Sequence, residues 1–272
     1  EDLINDSNYE TFGFYSGKRY NAEIENPAIF SYDATGTTFV GPSGNESSSD
    51  QSNAIAIPSS QFDVQASGIT VNASRTFIVT LNTSYTTNAS RVQTILGYGG
   101  WGNNTGFYVA LNNNTSHGGT PSTGKSVVFV STRGNDAYIS DPVPETLIID
   151  ANVETTIAVS YDNSTGNVYI FVKDPTNGTW QMGTTIFTNS ANYGNVLATS
   201  NAEGLMIGAY PRNWTDPDDF LVTKYNSFNG TIGEVKVFNY SINSITDLQQ
   251  TLVTNVISDY NLNNKYDISN NI

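Results

Sequence analysis

Residues 155 to 172 constrain this chain more than any other stretch. Thr155-Thr156-Ile157-Ala158-Val159-Ser160-Tyr161 and Asn167-Val168-Tyr169-Ile170-Phe171-Val172 are β-branched and aromatic runs separated by Asp162-Asn163-Ser164-Thr165-Gly166. Ile157 and Val159 alternate with Ala158 and Ser160, and Val168, Ile170 and Val172 alternate with Tyr169, Phe171 and Lys173. Successive side chains of a strand point to opposite faces, so a period of two sorts each run into two faces. Two such runs joined by a short turn of Asp, Asn and Gly predict a β-hairpin.

The same grammar extends from about residue 64 to 240. Thr76–Leu81, Thr94–Tyr98, Gly106–Leu111, Ser126–Ser131, Leu205–Tyr210 and Gly233–Phe238 read as further strands. Gly- and Asn-rich turns divide them, and the segment between Gly97 and Gly106 reads as a hairpin turn rather than a phosphate cradle. Only Ser244-Ile245-Thr246-Asp247-Leu248-Gln249-Gln250 reads as helix, with a Ser/Thr cap ahead of Ile245, Leu248 and Leu252. Strands this regular predict an all-β fold, a sandwich of two antiparallel sheets with a short C-terminal helix.

Composition narrows the partners. Charged residues are 13% of the chain against a usual quarter or so, and polarity comes instead from Asn, Ser, Thr and Gly. The formal net charge is −14, with 11 Lys and Arg in all. Nucleic-acid binding needs clustered cations to displace counterions from phosphates, so no nucleic-acid partner is expected. No apolar run approaches the roughly 18 residues of a membrane helix, so no membrane insertion is expected. There is no cysteine, hence no disulfide and no thiolate metal site. The chain opens at Glu1 rather than Met, the pattern expected of a processed or trimmed protein.

Two segments resemble a known family. The 155–172 hairpin resembles the central hairpin of laminin-G-like, concanavalin-A-like jelly-roll domains. Leu205-Met206-Ile207-Gly208-Ala209, followed by the run from Phe228 to Ile242, resembles the closing strands of that family, and the short helix after it fits as well. The resemblance covers about residues 60 to 255 and implies a jelly roll. It fixes no function, because the fold hosts lectins, adhesins, glycosidases and coat domains. The expected organisation is an N-terminal extension over residues 1–60, paired in part into the sandwich or used in assembly. A laminin-G-like sandwich over 61–255 and a C-terminal tail over 256–272 follow.

Catalysis is not expected. Retaining glycosidases of this fold place their acids on one strand as Glu-x-Asp-x-Glu, because alternate residues share a face. No such pattern occurs; Glu234 has Ile232 and Lys236 as its neighbours at that spacing. His117, the one histidine, sits in a polar loop without a supporting motif.

A binding module needs exposed aromatic and amide groups, and Tyr98, Trp101, Asn103 and Trp214 are the candidates. Trp101 lies in a Gly-rich tip that could not easily bury it. Asp216, Asp218 and Asp219 are one candidate oxygen cluster for Ca²⁺. The run from Asp259 to Asn270 resembles a degenerate dockerin or EF-hand loop, which implies Asp259, Asn261, Asn263, the Lys265 carbonyl, Asp267 and Asn270 as ligands. An acidic solvated loop and an Asn-rich tail are the plain alternatives. Sequons are dense, and include Asn45, Asn72, Asn82, Asn88, Asn103, Asn113, Asn163, Asn177, Asn213, Asn229 and Asn239. They mark either a glycoprotein or the sheer abundance of Asn, Ser and Thr.

The leading expectation is a recognition module in the extracellular space, or on a cell or virion surface, binding a glycan or a surface protein. The second is a structural subunit of a fibre, surface layer or coat, self-assembling by strand addition through an N-terminal segment such as Phe12 to Tyr20. A glycosidase is third.

Overall fold

The computed structural model describes residues 9–13, 19–24, 31–33, 36–39, 54–57, 74–84, 92–98, 107–112, 125–132, 135–139, 143–187, 205–211, 224–225, 227–238, 240–254 and 258–261. The strands are β1 (Tyr9–Gly13), β2 (Arg19–Ile24), β3 (Ser31–Asp33), β4 (Gly36–Phe39), β5 (Ile55–Ile57), β6 (Arg75–Thr83), β7 (Val92–Tyr98), β8 (Phe107–Asn112), β9 (Lys125–Thr132) and β10 (Asn135–Tyr138). A 3-10 turn (Glu145–Leu147) leads into β11 (Ile148–Asp150), β12 (Thr155–Tyr161), β13 (Asn167–Lys173) and β14 (Trp180–Ile186). Then come β15 (Leu205–Ile207), β16 (Tyr210–Pro211), β17 (Lys224–Tyr225), β18 (Gly230–Phe238), helix α1 (Ile245–Thr254) and β19 (Ser258–Asn261).

These strands form two antiparallel sheets. The first runs β1-β2-β5-β15-β7-β8-β9-β10, with β11 on the same side of β9 as β10. The second runs β14-β13-β12-β6-β18-β4-β3, with β19 also on β18. β16 and β17 pair separately. The expected two-sheet sandwich with one C-terminal helix is therefore the fold.

The core between the sheets is built from alternate residues. Val168, Ile170 and Val172 of β13 face Ile157, Val159 and Tyr161 of β12, and all are buried among Val109, Leu111, Val128 and Val130 of the first sheet. The other faces of these strands are also largely covered. Ile78, Ala158, Phe171, Trp180 and Phe238 form a second buried layer with Ile242 and Leu248, and α1 closes it. Two buried faces explain why Ala158 and Phe171, rather than charged residues, alternate with the core positions. A third small layer, Tyr108, Ala110 and Phe129, lies on the outer face of the first sheet, where Tyr108 and Phe129 meet edge to face at 5.9 Å.

Helix α1 is placed by polar contacts at its start. Ser244 accepts a bond from the Asp247 N–H at 3.1 Å and donates to the Asp247 carboxylate at 2.6 Å, a reciprocal cap. The lead-in segment is pinned to the sheet by Ser160, whose Oγ accepts from Ile242 N–H at 2.7 Å and from Thr76 Oγ1 at 2.9 Å.

The chain's N-terminal strands belong to its own sandwich. Phe12 is opposite Tyr20 in a β1–β2 hairpin, and β2 pairs with β5. Of the two roles expected for the N-terminal extension, pairing into the sandwich is seen at β1 and β2.

Candidate functional site

Tyr98 ends β7 near the middle of the first sheet, opposite Phe107 of β8 and Leu205 of β15. Trp101 and Asn103 follow Tyr98 in the chain and lie outside the described residues. β15 runs away from that end, with Ile207 opposite Leu96, and Gly208 N–H then bonds the Ile95 carbonyl at 2.8 Å. The segment holding Trp214 begins only after Pro211, so the described backbone does not bring the attachment points of the Trp101 and Trp214 segments together. Trp214 also lies outside the described residues. Trp180, the third tryptophan, is 6% exposed and packs under α1, so it is scaffold.

The described carboxylates shape backbone. Asp162 takes Ser164 N–H at 2.9 Å, Ser164 Oγ at 2.7 Å and Thr165 Oγ1 at 2.9 Å. Partial burial disfavours its charge, but these donors from Ser164 and Thr165, side chain and backbone, outweigh that and hold its pKa below the ordinary aspartate value. Asp174 does the same work at the next hairpin, taking Thr176 N–H and Asn177 Nδ2, each at 2.7 Å. The two loops share one plan: Asp first, Gly fifth, with Gly166 N–H bonding the Asp162 carbonyl and Gly178 N–H the Asp174 carbonyl, both at 2.8 Å. Lys125 bonds Glu145 and lies 3.8 Å from Asp150, which ties the 3-10 turn to β9. The Glu145 bond outweighs burial and raises the Lys125 pKa.

Glu234 carries a finding that strict alternation misses. The β18–β6 register shifts between Ile232 and Glu234, a bulge that buries Ile232 in the inter-sheet core while Glu234 lies opposite Thr80. There its carboxylate meets Lys236 at 2.7 Å, not a second acid. Among the described residues no three His, Cys, Asp or Glu gather as a metal site. His117, Asp216, Asp218 and Asp219 lie outside the described residues.

Two residues of the calcium-loop pattern are described, and both are in strand. Asp259 and Asn261 belong to β19, opposite Lys236 and Glu234. Asn263, Lys265, Asp267 and Asn270 lie outside the described residues.

Four sequons are described in side-chain detail. Asn82 is half-buried near the end of β6, opposite Thr231, with its Oδ1 enclosed. Asn163 accepts from the Tyr161 hydroxyl at 3.2 Å and its N–H bonds Ser74 at 3.0 Å. Asn229 donates its N–H to Gln93 at 3.1 Å. Asn177 is exposed at the β13–β14 tip, its Oδ1 accepting Thr179 N–H at 2.9 Å and Thr179 Oγ1 at 2.6 Å. Asn72, Asn88, Asn103, Asn213 and Asn239, with Asn45 and Asn113, lie outside the residues described at this level.

Sequence reasoning missed β14. Met182 and Ile186 are 38% and 46% exposed, the large exposed apolar side chains among the described residues. The apolar positions 180, 182 and 186 do show a period of two, but Gln181, Gly183, Thr184 and Thr185 dilute it.

The sequence matches no protein-family model and no curated protein. Among solved structures, the chain is similar to full-length tailspike protein 2 of an Escherichia coli O157:H7 bacteriophage. The identity is 11% and the TM-score 0.52, over 98% of this chain and 31% of that one. It is also similar to the enzymatically active domain of tailspike protein 2 of bacteriophage CBA120, at 12% identity and a TM-score of 0.50, over 97% of this chain and 34% of that one. The CBM40 module of the Ruminococcus gnavus IT-sialidase aligns at 13% identity with a TM-score of 0.46, over 79% of this chain and 96% of that one. The chain spans about a third of the length of the tailspike chains. At these identities the likeness to the tailspikes is one of fold, and the fold is the two-sheet β-sandwich described above.

Proposed function

We propose that this chain is a recognition module of an extracellular, cell or virion surface, binding a glycan or a surface protein without catalysis. The observation that carries the reading is how the described carboxylates are used. Asp162 and Asp174 order hairpins, Asp247 accepts from the capping Ser244 hydroxyl, and Glu234 pairs with Lys236. Glycoside hydrolysis instead needs two carboxyl groups facing each other across a scissile bond. The sandwich acts as a scaffold, and contact residues belong on the segments that leave it. Tyr98 marks where one such segment departs, and Trp101, Asn103 and Trp214 supply ring faces and an amide for sugar.

A glycan array on the intact chain tests this. Binding should fall on Trp101→Ala or Trp214→Ala while the fold is kept. Binding to array glycans or candidate surface proteins that neither substitution changes removes these residues from the site.

Calcium is proposed as a structural ion held by one of the two oxygen-rich segments, Asp216 to Asp219 or Asp259 to Asn270. Its removal should lower the melting temperature, because an ion that binds only the folded state stabilises it. A melting temperature indifferent to EDTA sinks this part alone.

A further inference from the structure

We propose that β14 is a self-association edge, where a second copy of this chain adds its own β14 in antiparallel register about a two-fold axis through Thr184. This inference is independent of the recognition reading.

Among the described strands, β14 ends the second sheet. The Asp174 N–H bonds the Thr179 carbonyl at 2.8 Å, which fixes the alternation of the β13–β14 ladder. Lys173–Trp180, Phe171–Met182, Tyr169–Thr184 and Asn167–Ile186 then fall at the non-hydrogen-bonded pairs. The backbone N–H and C=O groups of Met182, Thr184 and Ile186 therefore point away from β13, toward the open edge. Unpaired edge groups of this kind are a template for another strand.

Charge decides which edge is open. Two copies of a chain with a formal charge of −14 repel, so a self-interface belongs where carboxylates are absent. The other strands that end the two sheets each carry an acid: Glu10 in β1, Asp33 in β3, Asp136 in β10 and Asp150 in β11. β14 carries no ionisable side chain from Trp180 to Ile186. It also holds the exposed apolar pair, Met182 and Ile186.

The spacing of that pair is self-complementary. With Thr184 opposite its own copy, Met182 falls opposite Ile186 of the second chain, and Ile186 opposite Met182. Both exposed side chains then share one sheet face with a partner, and the outward backbone groups at these three positions are the ones that bond. A single paired edge is small against the roughly 1,200 Å² of a standard interface, so the dimer is weak and concentration-dependent.

Because the chain has no cysteine, single thiols can be introduced without background. Directly opposite hydrogen-bonded residues have Cα atoms about 5.5 Å apart, within the roughly 4.4–6.8 Å that a disulfide spans. Under mild oxidation, Thr184→Cys should yield a covalent dimer. Thr176→Cys, equally exposed at the hairpin tip, should stay monomeric. Met182→Cys and Ile186→Cys should cross-link when mixed and not separately. Sedimentation of the unmodified chain should show a monomer–dimer equilibrium between roughly 1 µM and 1 mM. Thr184→Pro should abolish it, since this removes an outward N–H and leaves the β13 ladder intact. Thr184→Lys, which sets two like charges face to face, should do the same and serves if the proline variant melts early. The proposal is overturned by a chain monomeric throughout that range. It is equally overturned by a dimer that a folded Thr184 variant leaves unchanged, or by cross-linking as fast at Thr176 as at Thr184.

Discussion

Gly208 lies against the ring of Phe39 so closely that a Cβ on Gly208 would stand 2.3 Å from Phe39 Cδ1. The glycine is fixed from two sides, its N–H bonding Ile95 O at 2.8 Å and its carbonyl accepting Phe228 N–H at 2.7 Å. Phe39 is fully buried and meets Phe228 edge to face at 6.3 Å. This is where the chain stops pairing as β15 and turns toward β16.

Gly208→Ala should therefore cost more than backbone strain alone. The φ of +86° adds about 1–2 kcal/mol for any residue with a Cβ, and overpacking a full core adds about 1–3 kcal/mol. Gly178 offers the control: its φ is +73°, but a Cβ there meets only Lys173 Cε at 3.8 Å. Urea unfolding should show a loss of about 2–5 kcal/mol for Gly208→Ala and about 1–2 kcal/mol for Gly178→Ala. Equal losses would mean that Phe39 yields and the contact constrains nothing.

Gln93 joins the two sheets from inside. It is 1% exposed, and its Oε1 takes Asn229 N–H at 3.1 Å while its Nε2 bonds Thr83 Oγ1 at 3.2 Å. Gln93→Met keeps the volume but withdraws the acceptor from the Asn229 N–H. Leaving one such donor unsatisfied costs about 1–3 kcal/mol. The denaturation midpoint should fall accordingly, and hydrogen exchange at Asn229 should accelerate ahead of β18. Unchanged exchange at Asn229 would show that another acceptor replaces Gln93.

What the amino-acid pattern made legible follows from where burial is one-sided or signalled by a turn. The β12–β13 hairpin was readable because its alternation and its Asp-to-Gly turn agree. β6, β8 and β9 were readable as β-branched runs, one residue short at several ends. The Leu205–Tyr210 run reads as one strand in sequence, but the positive φ at Gly208 ends it at Ile207. The bulge at Gly233 was invisible because strict alternation has no term for an extra residue. β14 was hidden by Gly183, which is there because Leu147 and Ile139 side chains would stand 2.7 and 2.8 Å from a Cβ. For the candidate site, the tryptophans could be nominated but not sorted. Trp180 and Trp101 both follow Gly-rich turns, and only the packing under α1 shows Trp180 to be scaffold.

Asp162 makes the β12–β13 turn pH-dependent. Its folded pKa lies below the ordinary value, so its charged form contributes stability above the ordinary aspartate range. That contribution is lost as pH falls from that range through the lower folded pKa. Asp162→Asn should therefore be less stable than the wild type at neutral pH, and the difference should shrink in acid. A melting-temperature gap that stays constant from neutral to strongly acid pH would show that charge on Asp162 is not what the turn uses.

Two serines hold α1 by different means, and their loss should be separable. Ser244 acts on the helix alone, as its reciprocal cap with Asp247, and Ser244→Ala should cost about 0.5–2 kcal/mol. Ser160 acts on docking. Ser160→Ala strands the Ile242 N–H, which is otherwise bonded at 2.7 Å, under the layer that Leu248 and Trp180 close. That costs about 1–3 kcal/mol and loosens the attachment rather than the helix. Hydrogen exchange should tell the two apart. Ser244→Ala should speed exchange in the first turn of α1 and leave Ile242 protected. Ser160→Ala should expose Ile242 first and raise Trp180 fluorescence quenching by solvent. If both variants release Ile242 equally, then cap and dock form one cooperative unit, and α1 detaches from the sheet as a whole.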